Sequence, residues 1–469
     1  MGDERRQPDP RPPSRRRFLR DAALYGGGVL LASSLQGLVA ACARARVSRT
    51  APRAGPGDGG YGDLVVAGPE LALPVGFTYV KLGVEGTPMS DGLLTPRAHD
   101  GMAAFALPNG NVRLVRNHED RERAATARAR GDAAKAYDPR GGGGTTSLEV
   151  RIAPDGGREI VRDFMSLGGT IVNCAGGLTP WGTWLTCEET TQGAGAGFER
   201  EHGYVFEVPA LAEEEVRAVP LKALGRFVHE AVALDAASGI VYLTEDWHRS
   251  GFYRFLPDHA GDLAAGGRLQ MLAAEGAPNL DTGTGRRTGE RRPVTWVAID
   301  DPDPPDAETN PAAVFEQGFA RGGARFARLE GAWAGDGGIY FQATSGGDAG
   351  CGQVWHYRPR GADPGELALV FESPGRDWLD GPDNITVSPR GGVLICEDGR
   401  GTQHLRGLTR DGAIFDFARN TLNANEFAGA CFHPDGSTLF VNIQGNTRGE
   451  SADLGMTFAI WGPWERGAL

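Results

Sequence analysis

The chain has 469 residues and a formal net charge of −12 at pH 7. That length suits one large domain or a few smaller ones, and the acidic balance argues against nucleic acid as a partner. Glycine reaches 71 residues, and short β-runs between glycine-rich turns are more frequent than helical patterns. The composition therefore predicts an all-β protein.

The N-terminal segment predicts export. A basic stretch with twin arginines, Ser14–Arg20, precedes an apolar stretch at residues 22–41, a pattern typical of Tat signal peptides. Val39–Cys42 also resembles a lipobox, which would make Cys42 a lipidated N-terminus, and simple cleavage after Ala41 is the alternative. The protein would be periplasmic or extracellular, would meet the Tat translocon during export, and would touch the membrane only through its signal or a lipid.

The rest of the chain is expected to form one domain. We predict a signal peptide at residues 1–42, a flexible linker at 43–62 and a single domain at 63–469. Asp120–Gly144 and Asp300–Pro311 interrupt the β-pattern with charged, alanine-rich or proline-rich sequence, which indicates surface insertions. The second is acidic enough to bind a cation, but a solvated loop is the simpler interpretation.

One phrase recurs six times in this domain: a turn with glycine or serine, a short β-run, and acidic or amide residues near its end. The copies are Gly110–Glu119, Gly182–Glu189, Gly239–Asp246, Gly338–Ser345, Gly392–Asp398 and Ser437–Asn446. Another β-run precedes each copy, and a third follows several of them. Strand, turn, strand, turn, strand is the build of a propeller blade, so we predict a six-bladed β-propeller with surface insertions.

The repeat also predicts a site, because the start of one strand and the end of its antiparallel partner lie side by side. In these copies both positions carry polar residues. Around the channel, an inner ring at the strand starts would hold Asp100, Cys174, Glu230, Glu330 and Asn384. Just outside it, at the strand ends, would lie Glu119, Glu188, Glu189, Glu245, Asp246, Glu397 and Asp398.

These side chains indicate a site for cations. Grouped carboxylates repel one another unless cations lie among them, and oxygen ligands in loose geometry suit Ca²⁺. Cys174 adds a soft ligand that favours a transition metal, and Fe³⁺ would be a strong Lewis acid towards a phosphoryl oxygen. Adjacent side chains of a regular strand point to opposite faces. Two adjacent acids can therefore reach one site only where the strand ends in a turn. This condition applies to the pairs Glu188–Glu189, Glu245–Asp246 and Glu397–Asp398.

Candidates for acid–base and phosphate contacts are fewer. His229 is a candidate acid or ligand, with a hydrogen-bonding role behind the ligands as the alternative. Phosphate oxygens need donors that arginine supplies in pairs, and Arg226, Arg400 and Arg448 lie near site segments. We take Arg226 and Arg448 as the catalytic candidates among them. The cysteines lack CxxC spacing, which argues against a disulfide framework.

Asn173–Glu189 (NCAGGLTPWGTWLTCEE) resembles the signature of the PhoX-type alkaline phosphatases. Arg116–Glu119, Gly225–Asp235 and Asp383–Asn384 with Glu397–Gly399 are similar to further segments of that family. The resemblance extends from residue 75 to the C-terminus.

The resemblance implies a six-bladed propeller with ferric and calcium ions at its channel mouth. It also implies hydrolysis of phosphate monoesters outside the cytoplasm. Cys174 matches the cysteine that bridges the irons in the family. Segments that supply carboxylate ligands in the family carry Glu119, Glu188, Glu189, Glu230, Glu245 and Glu397 in this chain. The copy that ends in Thr344–Gly347 departs from the family by lacking the terminal acid.

We therefore expect an exported, monomeric, metal-dependent phosphomonoesterase that uses Ca²⁺ and Fe³⁺ and acts on small phosphate esters. Metals would hold and polarise the ester, and arginine would balance its charge. Two alternatives stay open: a calcium-dependent propeller hydrolase such as a lactonase, and a non-catalytic propeller that binds a partner at the cell surface. Calcium without iron would favour the lactonase. Loss of folding on chelation, with no ester hydrolysis, would favour the binding protein.

Overall fold

A computed structural model of the protein describes residue 54 and residues 58–121, 128–153, 156–360, 363–448 and 452–469. The predicted Tat signal, the lipobox and most of the predicted linker lie outside these residues. Among the described residues, no helix is long and apolar enough to cross a membrane.

Within this part of the chain nearly all regular structure is β-strand, which confirms the predicted all-β class. The strands are β1 (Leu64–Val66), β2 (Leu71–Pro74), β3 (Thr78–Val84), β4 (His99–Ala106), β5 (Val112–His118), β6 (Gly143–Ile152), β7 (Arg158–Thr170), β8 (Asn173–Leu178), β9 (Thr183–Glu188), β10 (Val205–Pro209), β11 (His229–Leu234), β12 (Val241–Glu245), β13 (Phe252–His259), β14 (Asp262–Ala274), β15 (Arg291–Ala298), β16 (Leu329–Gly335), β17 (Gly338–Ala343), β18 (Gln353–Arg360), β19 (Asp363–Glu372), β20 (Pro382–Val387), β21 (Val393–Glu397), β22 (His404–Leu408), β23 (Ile414–Asn420), β24 (Phe427–Phe432), β25 (Leu439–Ile443) and β26 (Met456–Trp461). Helical segments are α1 (Ala313–Ala320) and the short 3₁₀ turns Ala194–Ala196, Lys222–Leu224 and Trp464–Arg466.

The strands pair into antiparallel sheets that follow the predicted copies. The first four copies are β4-β5-β6-β7, β8-β9-β10, β11-β12-β13-β14 and β16-β17-β18-β19. The fifth is β20-β21-β22-β23, which β2 and β1 extend at its outer edge. Strand β15 pairs with both β14 and β19, and so joins the third and fourth copies into one sheet.

The sixth copy closes the domain. Its strands β24, β25 and β26 are completed by β3, which comes from the N-terminal part of the chain and pairs along β26. The first strands β4, β8, β11, β16, β20 and β24 contact one another in that order, and β24 contacts β4. The first strands of the six copies thus form a closed ring.

Apolar side chains fill the space between neighbouring sheets. Phe252 of β13 stacks on Phe341 of β17 with ring centroids 4.1 Å apart, and both side chains are fully buried. Burying a phenylalanine stabilises a fold by about 1.5–3 kcal/mol. Contacts of this kind join the third copy to the fourth, so the ring is held by packing between sheets as well as by pairing within them.

The two ends of the domain are joined near the fifth and sixth copies. The Tyr61 hydroxyl donates a hydrogen bond to the Leu469 carbonyl oxygen at 2.8 Å. Its ring makes edge contacts with Phe77 and Trp464. Tyr61 falls in the stretch predicted as a linker, so the packed part of the chain begins before residue 63.

The acidic insertion at Asp300–Pro311 is docked, in contrast to the solvated loop predicted from its composition. The Asp303 carboxylate accepts hydrogen bonds from the Tyr204 hydroxyl at 2.7 Å and from Lys222 Nζ at 3.0 Å. Glu308 accepts hydrogen bonds from the backbone N–H groups of Gly193, Gly195 and Ala196. Composition alone could not show these partners, because they come from distant segments of the chain.

Candidate metal centre

A β-bulge recurs at the start of the first strand in all six copies. In each, two residues interrupt the pairing with the second strand. The bulged pairs are Asp100–Gly101, Cys174–Ala175, Glu230–Ala231, Glu330–Gly331, Asp383–Asn384 and Gly429–Ala430. A bulge bends its strand and redirects side chains. The repeated bulge is therefore the local feature that builds the site.

The second residue of each bulge lies on the axis of the ring. All six are small except Asn384, and with neighbouring side chains they leave a cavity of only about 20 Å³. The first strands approach very closely there. A Cβ on Gly101 would lie 2.6 Å from Ala175 Cα, and one on Gly331 would lie 2.7 Å from the Asp383 carbonyl oxygen. The axis beneath the bulges is thus filled with protein.

The residue after the second strand is fixed in the same way in every copy. Its backbone N–H donates to the carbonyl oxygen of the residue just before the first strand. The six residues are Glu119, Glu189, Asp246, Thr344, Asp398 and Gln444. These strand ends therefore lie beside the bulges, as the hairpin geometry predicts.

The two sets of residues converge into four groups whose ligand atoms lie within 4.8 Å of one another. The groups are Asp100, Glu119 and Cys174; Cys174, Glu189 and Glu230; Glu230, Glu330 and Asp383; and Asp383, Asp398 and Glu426. Each group shares one member with the next, so they form a continuous arc. We call these nine residues the acid arc.

Cys174 lies at the junction of the first two groups. Its Sγ is 3.3 Å from Glu230 Oε1 and 3.8 Å from Asp100 Oδ2. The other carboxylate oxygens of these two acids, Asp100 Oδ1 and Glu230 Oε2, are buried without a hydrogen-bond partner among the described residues. Buried oxygens of this kind are costly unless a cation or proton satisfies them.

The electrostatics of the arc give the same indication. Burial, followed by repulsion from Glu119, raises the pKa of Asp100 well above its ordinary value. Burial and Glu330 do the same to the pKa of Glu230, and burial with the nearby Asp100 raises the pKa of the Cys174 thiol. Each of these pKa shifts reflects that negative charge is disfavoured here, and a bound cation would reverse them. The residues present therefore fit metal ions.

Within the described part of the chain, Arg121 and Arg328 contact the arc, and the sequence analysis identified neither. Arg121 forms ion pairs with both Glu119 and Glu189. Arg328 donates to Asp246 Oδ1 at 2.8 Å and to Glu330 Oε1 at 2.7 Å. Both guanidinium groups are partly exposed.

Arg328 also has a φ of 55°, a strained value for a residue other than glycine. In the sequence, the position of each arginine two residues from an acid of the arc could have identified it. Arg121 follows Glu119 by two residues, and Arg328 precedes Glu330 by two.

The structure brings five of the predicted metal ligands together: Cys174, Glu119, Glu189, Glu230 and Asp398. Asp383 occupies the bulge position that the sequence analysis gave to Asn384. Asn384 donates to Asp383 Oδ1 at 2.8 Å and accepts a bond from the Gly429 N–H at 2.6 Å.

The remaining three predicted ligands, Glu188, Glu245 and Glu397, point away from the arc. Glu188 accepts hydrogen bonds from His202 Nδ1 and from three backbone N–H groups. Glu245 accepts bonds from the Gly251 N–H and the Tyr253 hydroxyl, and burial raises its pKa to about 8. Strand alternation explains the difference. In two pairs the second acid, Glu189 or Asp398, belongs to the arc, and in the third pair Asp246 binds Arg328 beside it.

Glu397 lies in a separate polar cavity. It accepts hydrogen bonds from Arg406 Nε at 2.8 Å and from the Asp380 N–H at 3.0 Å, and His404 Nδ1 lies 3.3 Å away. Arg400, considered earlier for phosphate, lines the same cavity. None of the described residues that line this cavity belongs to the acid arc.

The predicted catalytic residues are not brought into the arc. Arg226 is buried and uses its guanidinium on the His202 and Thr191 carbonyls and on Glu201. His229 Nε2 bonds the Gly225 carbonyl, and burial lowers its pKa to about 4. Arg448 is exposed, and its backbone N–H bonds Asn446 Oδ1 at 2.8 Å.

Comparison with known proteins identifies the family. The family model described as "Alkaline phosphatase PhoX" matches residues 60–446 of this chain. The chain belongs to this family. A search of curated proteins finds no match.

One solved structure shows a similar fold. Pseudomonas fluorescens PhoX, in complex with the transition-state analogue vanadate, has a TM-score of 0.67 and 18% sequence identity. The match covers 87% of this chain and 98% of that one. A gluconolactonase from Xanthomonas campestris has 12% identity and a TM-score of 0.40, with 86% and 100% of the two chains covered. The second likeness is too distant to bear on function.

Family membership places the chain among the phosphoric monoester hydrolases, as the resemblance implied. It also favours the phosphatase over the lactonase and the binding-protein alternatives.

Proposed function

We propose that the protein is an exported phosphomonoesterase whose acid arc holds several metal ions. The observation that carries the proposal is the arc itself, with four groups of ligand atoms that share members and lie within 4.8 Å. Around Cys174, two acids keep a buried oxygen without a partner among the described residues. Buried acids grouped in this way repel one another unless cations lie among them. Bound metal ions would therefore explain the arc in a chain of a phosphatase family.

The ligand types suggest how the ions divide. The first two groups contain the Cys174 thiol and would hold Fe³⁺, which accepts both sulfur and oxygen ligands. The groups around Asp383 contain only carboxylates and would hold Ca²⁺. Bound cations would polarise the phosphoryl group and balance its charge.

The protein's own side chains would orient the ester. Arg121 and Arg328 lie on the arc and are partly exposed, so each can present N–H donors to phosphoryl oxygens. The filled axis beneath the bulges blocks water and substrate from that side. A small phosphate ester would therefore approach from the exposed side of the two arginines.

The fold supports a finer proposal about architecture. Six copies, six bulges and a closed ring of first strands fit a six-bladed propeller. The second copy has only β8, β9 and β10, and β15 joins two copies into one sheet, so the blades would be unequal. We propose that this propeller acts as a monomer.

Enzymatic assay tests the proposal. Purified protein loaded with iron and calcium is expected to release phosphate from an aryl phosphate, and Glu230→Gln is expected to lose this activity. The matched control is Glu245→Gln, since Glu245 is equally buried but faces away from the arc. No turnover with bound metals confirmed would reject the phosphatase proposal.

Export is proposed from the N-terminal sequence alone. The basic stretch Ser14–Arg20 and the apolar stretch after it support a Tat route, with release or lipidation at Cys42. Replacing Arg15 and Arg16 together by lysine is expected to leave the protein in the cytoplasmic fraction. Continued export of that variant would contradict the Tat route.

A further inference from the structure

One repeat position directly behind the acid arc carries a buried amide in three copies. In each copy it lies two positions before the residue that follows the second strand. In the first copy, for example, it is Asn117, two positions before Glu119. In the six copies it is occupied by Asn117, Cys187, Thr244, Gln342, Cys396 and Asn442, all fully buried. The three amides therefore form a separate set at an equivalent place.

Each amide reaches from its own copy to the bulge of the next copy. Asn117 Nδ2 donates to the Cys174 carbonyl oxygen at 2.8 Å. Gln342 Nε2 donates to the Asp383 carbonyl oxygen. Asn442 Nδ2 donates to the Asp100 carbonyl oxygen at 2.7 Å.

All three acceptors belong to ligand residues of the arc. Bulge residues lie outside the regular strand pairing, so their carbonyl groups need other partners in a buried site.

The orientation of two amides is itself fixed by neighbours. The Trp184 indole N–H, which can only donate, gives its hydrogen bond to Asn117 Oδ1 at 2.8 Å. The Thr457 hydroxyl donates to Asn442 Oδ1 at 2.6 Å. These contacts leave the amide N–H groups directed at the bulge carbonyls. The arrangement is preorganised because both ends of the amide are held.

Two of the three crossings, those of Asn117 and Gln342, coincide with places where the arc itself passes between copies. The group of Asp100, Glu119 and Cys174 spans the first and second copies, which Asn117 connects. The group that contains Glu330 and Asp383 spans the fourth and fifth copies, which Gln342 connects. The distance between ligands from two sheets depends on how those sheets are held together.

We propose that Asn117 and Gln342 are positioning residues that set the spacing of metal ligands across the boundaries between copies, and that Asn442 fixes the backbone of the ligand Asp100 in the same way. The inference rests on the proposed metal site, and assigns a role to amides that touch neither metal nor substrate. Partners behind metal ligands typically change affinity by roughly 10–100-fold when removed. A purely structural role would change stability alone.

Gln342→Leu provides the main test, with Gln353→Leu as its matched control. Both glutamines are fully buried in the fourth copy, and Gln353 Nε2 also donates to a backbone carbonyl, that of Thr282 at 3.2 Å. Gln353 lies in the third strand of its sheet, away from the arc. Chelated full-length protein is titrated with Ca²⁺ by calorimetry, and its unfolding is measured in parallel.

Both variants are expected to lose stability, and only Gln342→Leu is expected to weaken Ca²⁺ binding, by roughly tenfold or more. Equal Ca²⁺ affinity in the two variants would overturn the inference while leaving the phosphatase proposal intact. Wild-type protein that binds no metal would overturn both.

A second variant keeps the proposal testable if Gln342→Leu fails to fold. Asn117→Asp retains the acceptor for Trp184 but loses the donor to the Cys174 carbonyl. Titration with Co²⁺ alone gives a thiolate charge-transfer absorption when Cys174 binds the ion. We expect that absorption to shift or disappear in Asn117→Asp, and an unchanged spectrum at unchanged affinity would contradict the proposal.

Discussion

Two adjacent acids, Glu188 and Glu189, should have opposite effects when each is changed to glutamine. Glu188 is fully buried and accepts four hydrogen bonds, with His202 Nδ1 the nearest at 2.6 Å. Its other donors are the N–H groups of Ile171, Gly203 and Tyr204. Glu189 instead belongs to the acid arc beside Cys174.

The magnitudes follow from these contacts. In either orientation, the amide of Glu188→Gln turns an N–H group towards two donors, so two bonds to a charged acceptor are lost. At about 1.5 kcal/mol or more for each, the free energy of unfolding should fall by about 3 kcal/mol. Glu189→Gln removes one charge from a crowded negative site, and the metal-free protein should be as stable as wild type or slightly more stable.

The effect on metal binding should be the reverse: Glu189→Gln should weaken it, and Glu188→Gln should leave it unchanged. Glu189 belongs to a group that contains Cys174, so Co²⁺ is the suitable probe of its site. Co²⁺ should stabilise Glu188→Gln by as much as it stabilises wild type. A tenfold weaker site in Glu189→Gln would reduce that stabilisation by about 1.4 kcal/mol. Unfolding by urea, with chelator and with excess Co²⁺, measures both quantities. The account of strand alternation would be refuted if Glu188→Gln lost metal binding while keeping wild-type stability in chelator.

Three further predictions concern other parts of the site. Arg328→Ala should lower kcat/KM for an aryl phosphate by roughly 100-fold without weakening Ca²⁺ binding, and weaker binding would show that Arg328 supports the ligands instead. Gly331→Ala should lower the free energy of unfolding by about 1–3 kcal/mol, because its Cβ would meet the Asp383 carbonyl at 2.7 Å; wild-type stability would show that the ring is not tightly packed there. Burial alone would lower the pKa of His202, but Glu188 and Asp138 raise it to about 9. The resulting stability, about 3 kcal/mol, is present below pH 6.5 and lost as pH rises towards 9. A pH series of urea unfolding should show this loss, and His202→Gln should remove it; equal slopes in both proteins would contradict the assignment.

Much of the site was predictable because the repeat has a regular geometry. Acids at strand ends and special residues at strand starts converge in any antiparallel hairpin, which is how Cys174, Glu189 and Glu230 were found. The all-β class followed from the glycine-rich turns and short β-runs.

Three features were not predictable from spacing. The choice between Glu188 and Glu189 depends on where a strand ends, and the sequence leaves that uncertain by a residue. Whether Asp383 or Asn384 points into the arc depends on the register of the bulge, which the sequence does not show. The docking of Glu308 on Gly193 and Ala196 joins segments that are distant in the chain, and only the folded structure brings them together.

Metal content of the exported protein tests the central claim most directly. Elemental analysis of protein recovered after export should find iron and calcium together in wild type. Cys174→Ala should lose iron while keeping calcium at the carboxylate groups around Asp383. Wild-type protein with neither metal, or Cys174→Ala with undiminished iron, would contradict the account of the acid arc.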